Sequence, residues 1–155
     1  PDEVVVGLIE EKTAKLGSNR GYLLDGFPRT IAQLESLQEM LERNGQTLDG
    51  VISIEVPEEL LMERLCGRWS CKGCNSVMHE RDFDKSNKRV CISCGSENIY
   101  QREDDKPKAI QQRLKTFEDQ TAPVKAKYGE LGLLAKVDGV GSPDEVFNRI
   151  KETLK

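Results

Sequence analysis

Long apolar runs are missing from this sequence. The longest uncharged apolar stretch, Val4 to Ile9, falls far short of the roughly 20 residues that a bilayer-spanning helix requires. No charged-then-apolar leader opens the chain, so neither export nor membrane anchoring is supported and a cytosolic, cytoplasmic protein is expected. An excess of one charge is also lacking. With 23 basic against 27 acidic residues the net charge is −4, and no global field exists to recruit nucleic acid or an acidic membrane. Any anion site must therefore be local. Internal repeats and low-complexity tracts are not evident, and histidine occurs once, at position 79.

The 155 residues suffice for one domain with a core, or for one domain carrying a smaller insert. The apolar share is 37% and rises to roughly 45% when glycine is counted, which is ordinary for a globular chain and excludes intrinsic disorder. Along the chain, Val4, Val5, Leu8, Ile9 and Leu16 predict an amphipathic helix running to about Leu16. After Gly17-Ser18-Asn19-Arg20-Gly21, the run Tyr22-Leu23-Leu24 reads as a short buried parallel strand ending at Asp25-Gly26-Phe27-Pro28. Ile31, Leu34, Leu37, Met40 and Leu41 then predict a helix stopped at Gly45. Val51–Val56 reads as a strand, and Pro57-Glu58-Glu59 opens a helix through Leu60, Leu61 and Leu65. Later, Ile110, Leu114 and Phe117 give a helical face, and Thr121-Ala122-Pro123 opens a further helix. Leu133 to Val137 is a third strand. The last helix starts at Ser142-Pro143-Asp144-Glu145, with a capping box and an apolar face of Val146, Ile150 and Leu154. Strands separated by helices imply parallel pairing through right-handed crossovers, hence an α/β three-layer domain. Its expected division is a core over 1–66 and 106–155 with an insert over 67–105.

Within that insert Cys71-x-x-Cys74 is followed, after sixteen residues, by Cys91-x-x-Cys94. Two such knuckles offer four thiolates to one ion in the tetrahedral arrangement that zinc prefers. Four ligands close the shell, which makes the metal structural, and metal binding then supplies much of the folding free energy of a small insert. The competing reading, disulfides or redox pairs, needs an oxidising compartment. Cys66 lies outside the pattern and is read as a small core residue. His79 is read as a packing or hydrogen-bonding residue, since the cysteines already complete a ligand set.

The second signal is Asp25-Gly26-Phe27-Pro28-Arg29-Thr30, at the carboxyl end of a predicted strand, where open α/β sheets place their ligands. Glycine and proline set an abrupt turn, and Arg29 can aim its fork at a phosphate. Arg64, Arg68, Arg102 and Arg113 fall at the ends of elements. Singly each reads as a solvated charge; gathered with Arg29 they suit a site for two polyphosphates.

These residues carry a family resemblance. Tyr22 to Thr30, with Gln33 three positions on, resembles the adenylate kinase signature. Gly67-Arg68 leads into a zinc-bearing lid as in the family's long form, and Gln101-Arg102-x-Asp104-Asp105, Arg113-Leu114, Thr121-x-Pro123 and Val137-Asp138-Gly139 recur in family order. The resemblance implies a P-loop-kinase-like parallel sheet and reversible transfer of the ATP γ-phosphoryl to AMP, giving two ADP, with magnesium. It assigns Gly26, Phe27, Pro28 and Arg29 to the AMP phosphate region, Gln33 to the adenine edge and Asp25 to water-bridged magnesium. Arg68 would grip the ATP phosphates, Arg64 would stack on its adenine, and Arg102 and Arg113 would bridge the two phosphate chains. Backbone at Val77, Met78 and Gly141 would contact the ATP base and ribose. Met78 stands where the family shows an aromatic, and Asp84-Lys85-Ser86-Asn87 replaces a proline-rich segment.

One family motif is missing: no Gly-x-x-x-x-Gly-Lys-[Ser/Thr] occurs, and Gly-Lys never appears. The expectation is a truncated family member, inactive and poorly folded alone, a monomer when complete, whose missing strand would lie between Tyr22–Leu24 and Val51–Val56. Two rivals stand beside this reading. One is a zinc ribbon that binds nucleic acid through Lys72, Arg81, Lys85, Lys88 and Arg89. Against it, Glu80, Asp82 and Asp84 are interleaved, and Trp69, Phe83 and Tyr100 form no stacking platform. The other is a noncatalytic relative that senses nucleotide.

Overall fold

A computed structural model describes residues 2–16, 21–83 and 89–154. The expectations for Gly17 to Arg20 and for Asp84 to Lys88, including Lys85 and Lys88, lie outside the described residues. The chain divides into two compact units, Pro1–Glu55 with Thr116–Lys155, and Val56–Lys115.

In the first unit, helix α1 (Asp2–Ala14) buries Val6 and Thr13, whereas Val4, Val5, Leu8 and Leu16 are exposed. Of the expected apolar face only Ile9 turns inward, packing on the Leu37–Met40–Leu41 cluster. Val6, Ile9 and Thr13 follow the three-to-four-residue step that keeps side chains on one stripe, and the Thr13 hydroxyl satisfies itself on the Ile9 carbonyl at 2.9 Å. Helix α2 (Ile31–Arg43) matches its expected pattern. Thr30 caps it by accepting from the Gln33 N–H, and Leu34, Leu37, Met40 and Leu41 are buried. At its end Gly45, with φ of +62°, lets its own N–H reach the Glu42 carbonyl and that of Gln46 reach the Leu41 carbonyl, the paired bonds of a Schellman stop.

Strands β1 (Val51–Glu55) and β5 (Leu134–Asp138) pair in parallel, Val51 opposite Leu134 and Glu55 opposite Asp138. Between them in sequence come α3 (Glu58–Cys66), β2 (Arg68–Cys71), β3 (Val77–His79), β4 (Ile99–Tyr100), α4 (Pro107–Thr116) and α5 (Ala122–Glu130). Tyr22-Leu23-Leu24 does not form the expected strand. Among the described residues it pairs with no other strand, yet it keeps strand alternation: Tyr22 and Leu24 pack on the Leu37–Met40–Leu41 cluster while Leu23 is 81% exposed. A strand is defined by its ladder, and side-chain burial alone does not create one.

The helix expected to open at Thr121-Ala122-Pro123 is present as α5 (Ala122–Glu130) with Pro123 in its first turn, but it has no free start. Thr121 has helical dihedrals and makes no cap; Phe117–Thr121 is a π-helical turn that runs into α5. Pro123 offers no N–H to the carbonyl four residues back, and the backbone widens just ahead of it. Val124 and Tyr128 of α5 pack on Leu34, and burial pushes the Tyr128 phenol above its ordinary pKa. Helix α6 (Pro143–Thr153) has the capping box read from Ser142 and Glu145. Of its expected apolar face, Val146 and Ile150 are half-buried, but Leu154 is 64% exposed.

The second unit contains α3, the antiparallel sheet in order β3-β2-β4, and α4. The core of that sheet consists of Cys71, Met78 and Cys91, with Phe83 and Ile99 against it. Two of its three buried members are thus cysteines of the Cys-x-x-Cys pairs. Cys66, at the end of α3, is half-exposed, so the expected core position is not realised.

Candidate active site and metal centre

The Asp25–Gln33 segment is a tight turn leading into α2. Gly26 has a φ of +68°, and a Cβ there would lie 2.7 Å from an Arg29 guanidinium nitrogen, so the position admits only glycine without a shift. Arg29 folds back: its Nε donates to the Gly26 carbonyl at 2.6 Å, while its backbone N–H donates to the Gln33 side-chain oxygen at 2.7 Å. Gln33 in turn donates to Asp2 at 2.7 Å, and the Thr121 hydroxyl donates to the Arg29 carbonyl at 3.1 Å. The turn is held from three elements. Asp25, Gly26 and Arg29 remain exposed, and Phe27 and Pro28 are half-buried.

In the second unit, Arg68 at the start of β2 meets Asp105 through two nitrogens, Nε at 2.9 Å from Oδ2 and Nη2 on Oδ1. Asp105 is fully buried, and its hydrogen bond raises the Arg68 pKa further above its ordinary value. Arg113 approaches the same carboxylate at 3.9 Å and Asp104 at 3.7 Å. Of the arginines singled out by sequence, Arg68 and Arg113 therefore share one acidic anchor. Arg102 precedes the 3₁₀ turn that carries this anchor, with its carbonyl accepting from the Asp105 N–H, and its own side chain is exposed. Arg64 is half-buried in the last turn of α3.

Gly67 marks the entrance to β2. A Cβ there would fall 2.2 Å from the His79 ring. His79 Nδ1 accepts from the Arg81 N–H at 3.2 Å, so the ring proton sits on Nε2, which donates to the Glu63 carbonyl at 3.2 Å. The histidine is a hydrogen-bonding clasp between β3 and the last turn of α3. Met78 beside it is buried, whereas Val77 is exposed. Gly141, with φ of +122°, precedes the α6 cap, and a Cβ would meet a Glu145 carboxylate oxygen at 2.8 Å.

The four cysteine sulfurs all lie within 4.8 Å of one another. Cys71–Cys94 and Cys74–Cys91 are each 3.6 Å apart, close to the roughly 3.8 Å edge of a tetrahedron with metal–sulfur bonds of about 2.3 Å. This arrangement can hold a metal ion. The knuckles are a short repeat that the sequence reading passed over, Cys71-x-x-Cys74-Asn75-Ser76 and Cys91-x-x-Cys94-Gly95-Ser96. In each, the residue after the second cysteine has positive φ, 60° at Asn75 and 73° at Gly95, and the serine carbonyl accepts from the N–H of the first cysteine. The crowded thiols titrate apart. A hydrogen bond from Ser76 holds Cys91 down at about 6. For Cys94, the backbone N–H of Ser96 lowers the pKa but is outweighed by the sulfurs of Cys74, Cys91 and Cys71, which push it up to about 12. Neighbouring sulfurs cannot all carry charge without a cation among them.

Three of the basic residues weighed for nucleic-acid binding have partners within the second unit. Arg89 pairs with Glu80 at 2.6 Å and stacks 4.6 Å above the Trp69 ring, Lys72 lies 5.4 Å from the Tyr100 ring, and Arg81 lies 3.9 Å from Glu63. All three stay exposed, so their pairing within the unit, interleaved with acidic residues, leaves no continuous basic stripe for nucleic acid.

Comparison with known proteins decides the family. The adenylate kinase family model matches residues 1–133. The chain belongs to the adenylate kinase family. An adenylate kinase of Carboxydothermus hydrogenoformans is 46% identical over 155 residues, covering all of this chain and 72% of that protein. Those of Syntrophobacter fumaroxidans and Bacillus pumilus are 44% and 42% identical over 154 residues, covering 99% of this chain and 72% and 70% of theirs. Family membership carries the reversible transfer of phosphoryl from ATP to AMP, a kinase and transferase reaction, and the nucleic-acid reading is set aside. Among the described residues, no helix is long and apolar enough to cross a membrane.

Two groups carry roles that the sequence alone does not reveal. In the sequence Asp105 stands only as part of the motif Gln101-Arg102-x-Asp104-Asp105, and its burial beneath Arg68 and Arg113 gives it an anchoring role. Ser76 stands in no motif, yet its hydroxyl lies between Cys74 and Cys91. The repeated Cys-x-x-Cys-x-Ser pattern is the signal that would have drawn attention to it.

Proposed function

We propose that the kinase reaction is carried by the arginines at the ends of these elements, divided by substrate. Gly26, Phe27, Pro28 and Arg29 bind the AMP phosphate region, with Gln33 reading the adenine edge. Arg68 grips the ATP phosphates, Arg64 stacks on its adenine, and backbone at Val77, Met78 and Gly141 contacts its base and ribose. Arg102 and Arg113 bridge the two phosphate chains, and Asp25 holds magnesium through water. Phosphoryl transfer asks mainly for in-line positioning and charge stabilisation, which guanidinium forks supply. The mobile lid in this reading is 67–105, its root at Gly67 and at Asp105, and its closing excludes water from the phosphates. Zinc, held by Cys71, Cys74, Cys91 and Cys94, is structural. In this reading the enzyme is a cytoplasmic monomer that binds ATP, AMP and ADP and takes no nucleic acid or membrane partner.

The observation that supports this best is the pair of arginines on one buried carboxylate. Asp105 fixes Arg68 and Arg113 near each other before any substrate arrives, which lowers the cost of ordering them on phosphate. Because the 155 residues hold no Gly-x-x-x-x-Gly-Lys-[Ser/Thr], the proposal includes a requirement. ADP formation from ATP, AMP and magnesium is expected only when a segment bearing that loop is supplied in trans. Robust turnover by the 155 residues alone would refute the requirement. A complemented protein that binds both nucleotides without forming ADP would refute the catalytic assignment.

A further inference from the structure

The two knuckles repeat in backbone but differ at their serines. Ser96 turns its hydroxyl to accept from the Asn98 N–H at 3.1 Å. Ser76 instead sets its hydroxyl between sulfurs from both knuckles, 3.1 Å from Cys74 and 3.2 Å from Cys91. Its own carbonyl accepts from the Cys71 N–H at 3.0 Å, and the next residue, Val77, begins β3. One side chain and its backbone therefore touch three of the four candidate ligand residues.

We propose that Ser76 is a positioning residue of the metal centre, whose hydroxyl donates to the bound thiolates and ties the two knuckles together across the ion. The inference rests on reading the four cysteines as a metal site. A hydroxyl has one proton, so it serves one sulfur at a time, and the nearly equal distances keep both within reach. A thiolate that accepts this proton gives less charge to the metal, and a knuckle held by two sulfurs opens less readily. Partners in the outer shell of a metal typically change affinity by about 10- to 100-fold when removed. Ser76 also joins the centre to β3 directly, so loosening it loosens the strand that carries Val77 and Met78.

The test uses the 155-residue chain loaded with cobalt(II) or zinc. Ser76→Ala is expected to surrender zinc to a chromophoric chelator about 10- to 100-fold faster than the parent. Its thiolate-to-cobalt charge-transfer band is expected to move to lower energy. Ser76→Thr, which keeps the hydroxyl, restores both readouts. Ser96→Ala, the same chemical change at the repeat-related position, leaves both as in the parent. Should alanine cost the fold, Ser76→Val against Ser76→Thr makes the contrast at equal shape. Release rate and band position unchanged in Ser76→Ala, or changed equally in Ser96→Ala, would overturn the proposal. A parent chain that shows no thiolate–cobalt band overturns the metal reading itself, and the inference with it.

Discussion

Arg68 closes a two-point ion pair on Asp105, a carboxylate with no exposure to solvent. Arg68 lies at the entrance to β2 and Asp105 in the turn before α4, 37 residues apart, so the pair ties the start of the antiparallel sheet to the approach to α4 within the second unit. Buried charges persist only when paired, and here Arg113 adds a second positive group to the same oxygen.

Asp105→Asn is therefore expected to destabilise the second unit by about 3 kcal/mol, the usual consequence of removing one partner from a buried pair. Urea unfolding followed at Trp69, which lies in β2, measures it. Asp104→Asn, at a side chain that is 57% exposed, should move the same midpoint little.

The clash at Gly67 gives a paired expectation. Gly67→Ala drives a methyl group into the His79 ring and should cost about 1–3 kcal/mol. His79→Ala removes the obstacle along with the bond to the Glu63 carbonyl. In the double variant the alanine at 67 should then cost much less than it does alone, a positive coupling readable from a thermal double-mutant cycle. Additive effects would show that the ring does not limit this position.

Removing metal should act on the second unit, because two of the three buried residues in its sheet core are cysteines. With the four cysteines loaded with a metal ion, a chelator strong enough to strip it is expected to abolish the slow amide exchange of β2 and β3 and to leave that of α2 unchanged. Rebinding near pH 7.5 should release protons, at least one and fewer than four per ion. The sign follows from the thiols: Cys94, pushed up to about 12, must give up its proton to become a ligand, whereas Cys91, held at about 6, has already lost it. Titration calorimetry in buffers of different ionisation enthalpy counts them.

Glu145 offers a pH signature in the first unit. Backbone and side-chain hydrogen bonds from Ser142 hold its pKa below the ordinary 4.5. A depressed carboxyl contributes stability that is full above its unfolded value and is lost as pH falls through the folded one. Helix α6 should therefore fray at its first turn only below about pH 4.5. Ser142→Ala should return Glu145 toward its ordinary value, which carboxyl-carbon NMR titration reports directly.

Much of this was legible in the order of residues. That Cys71, Cys74, Cys91 and Cys94 come together in one cluster was readable from spacing alone, because the two-residue gap is itself the geometry of a knuckle. The limits of α2 and α6 were also readable, since Thr30, Gly45, Ser142 and Glu145 act on backbone groups within a few residues of themselves. Periodicity was less decisive. In α1 several apolar stripes compete, and only packing against α2 selected Val6 over Val4 and Leu8.

What the chain determined by itself was local: helix caps, the turn at Gly26, the metal-binding spacing, and the family motifs in their order. Tertiary structure alone decided that Tyr22–Leu24 stays unpaired among the described residues, that Asp105 is sealed beneath Arg68, that Gly67 must make room for His79, and that Ser76 reaches two sulfurs. The reason is one of range. Caps and knuckles satisfy groups a few residues away, whereas ladders, buried ion pairs and cross-knuckle contacts join residues that only folding brings within a hydrogen bond.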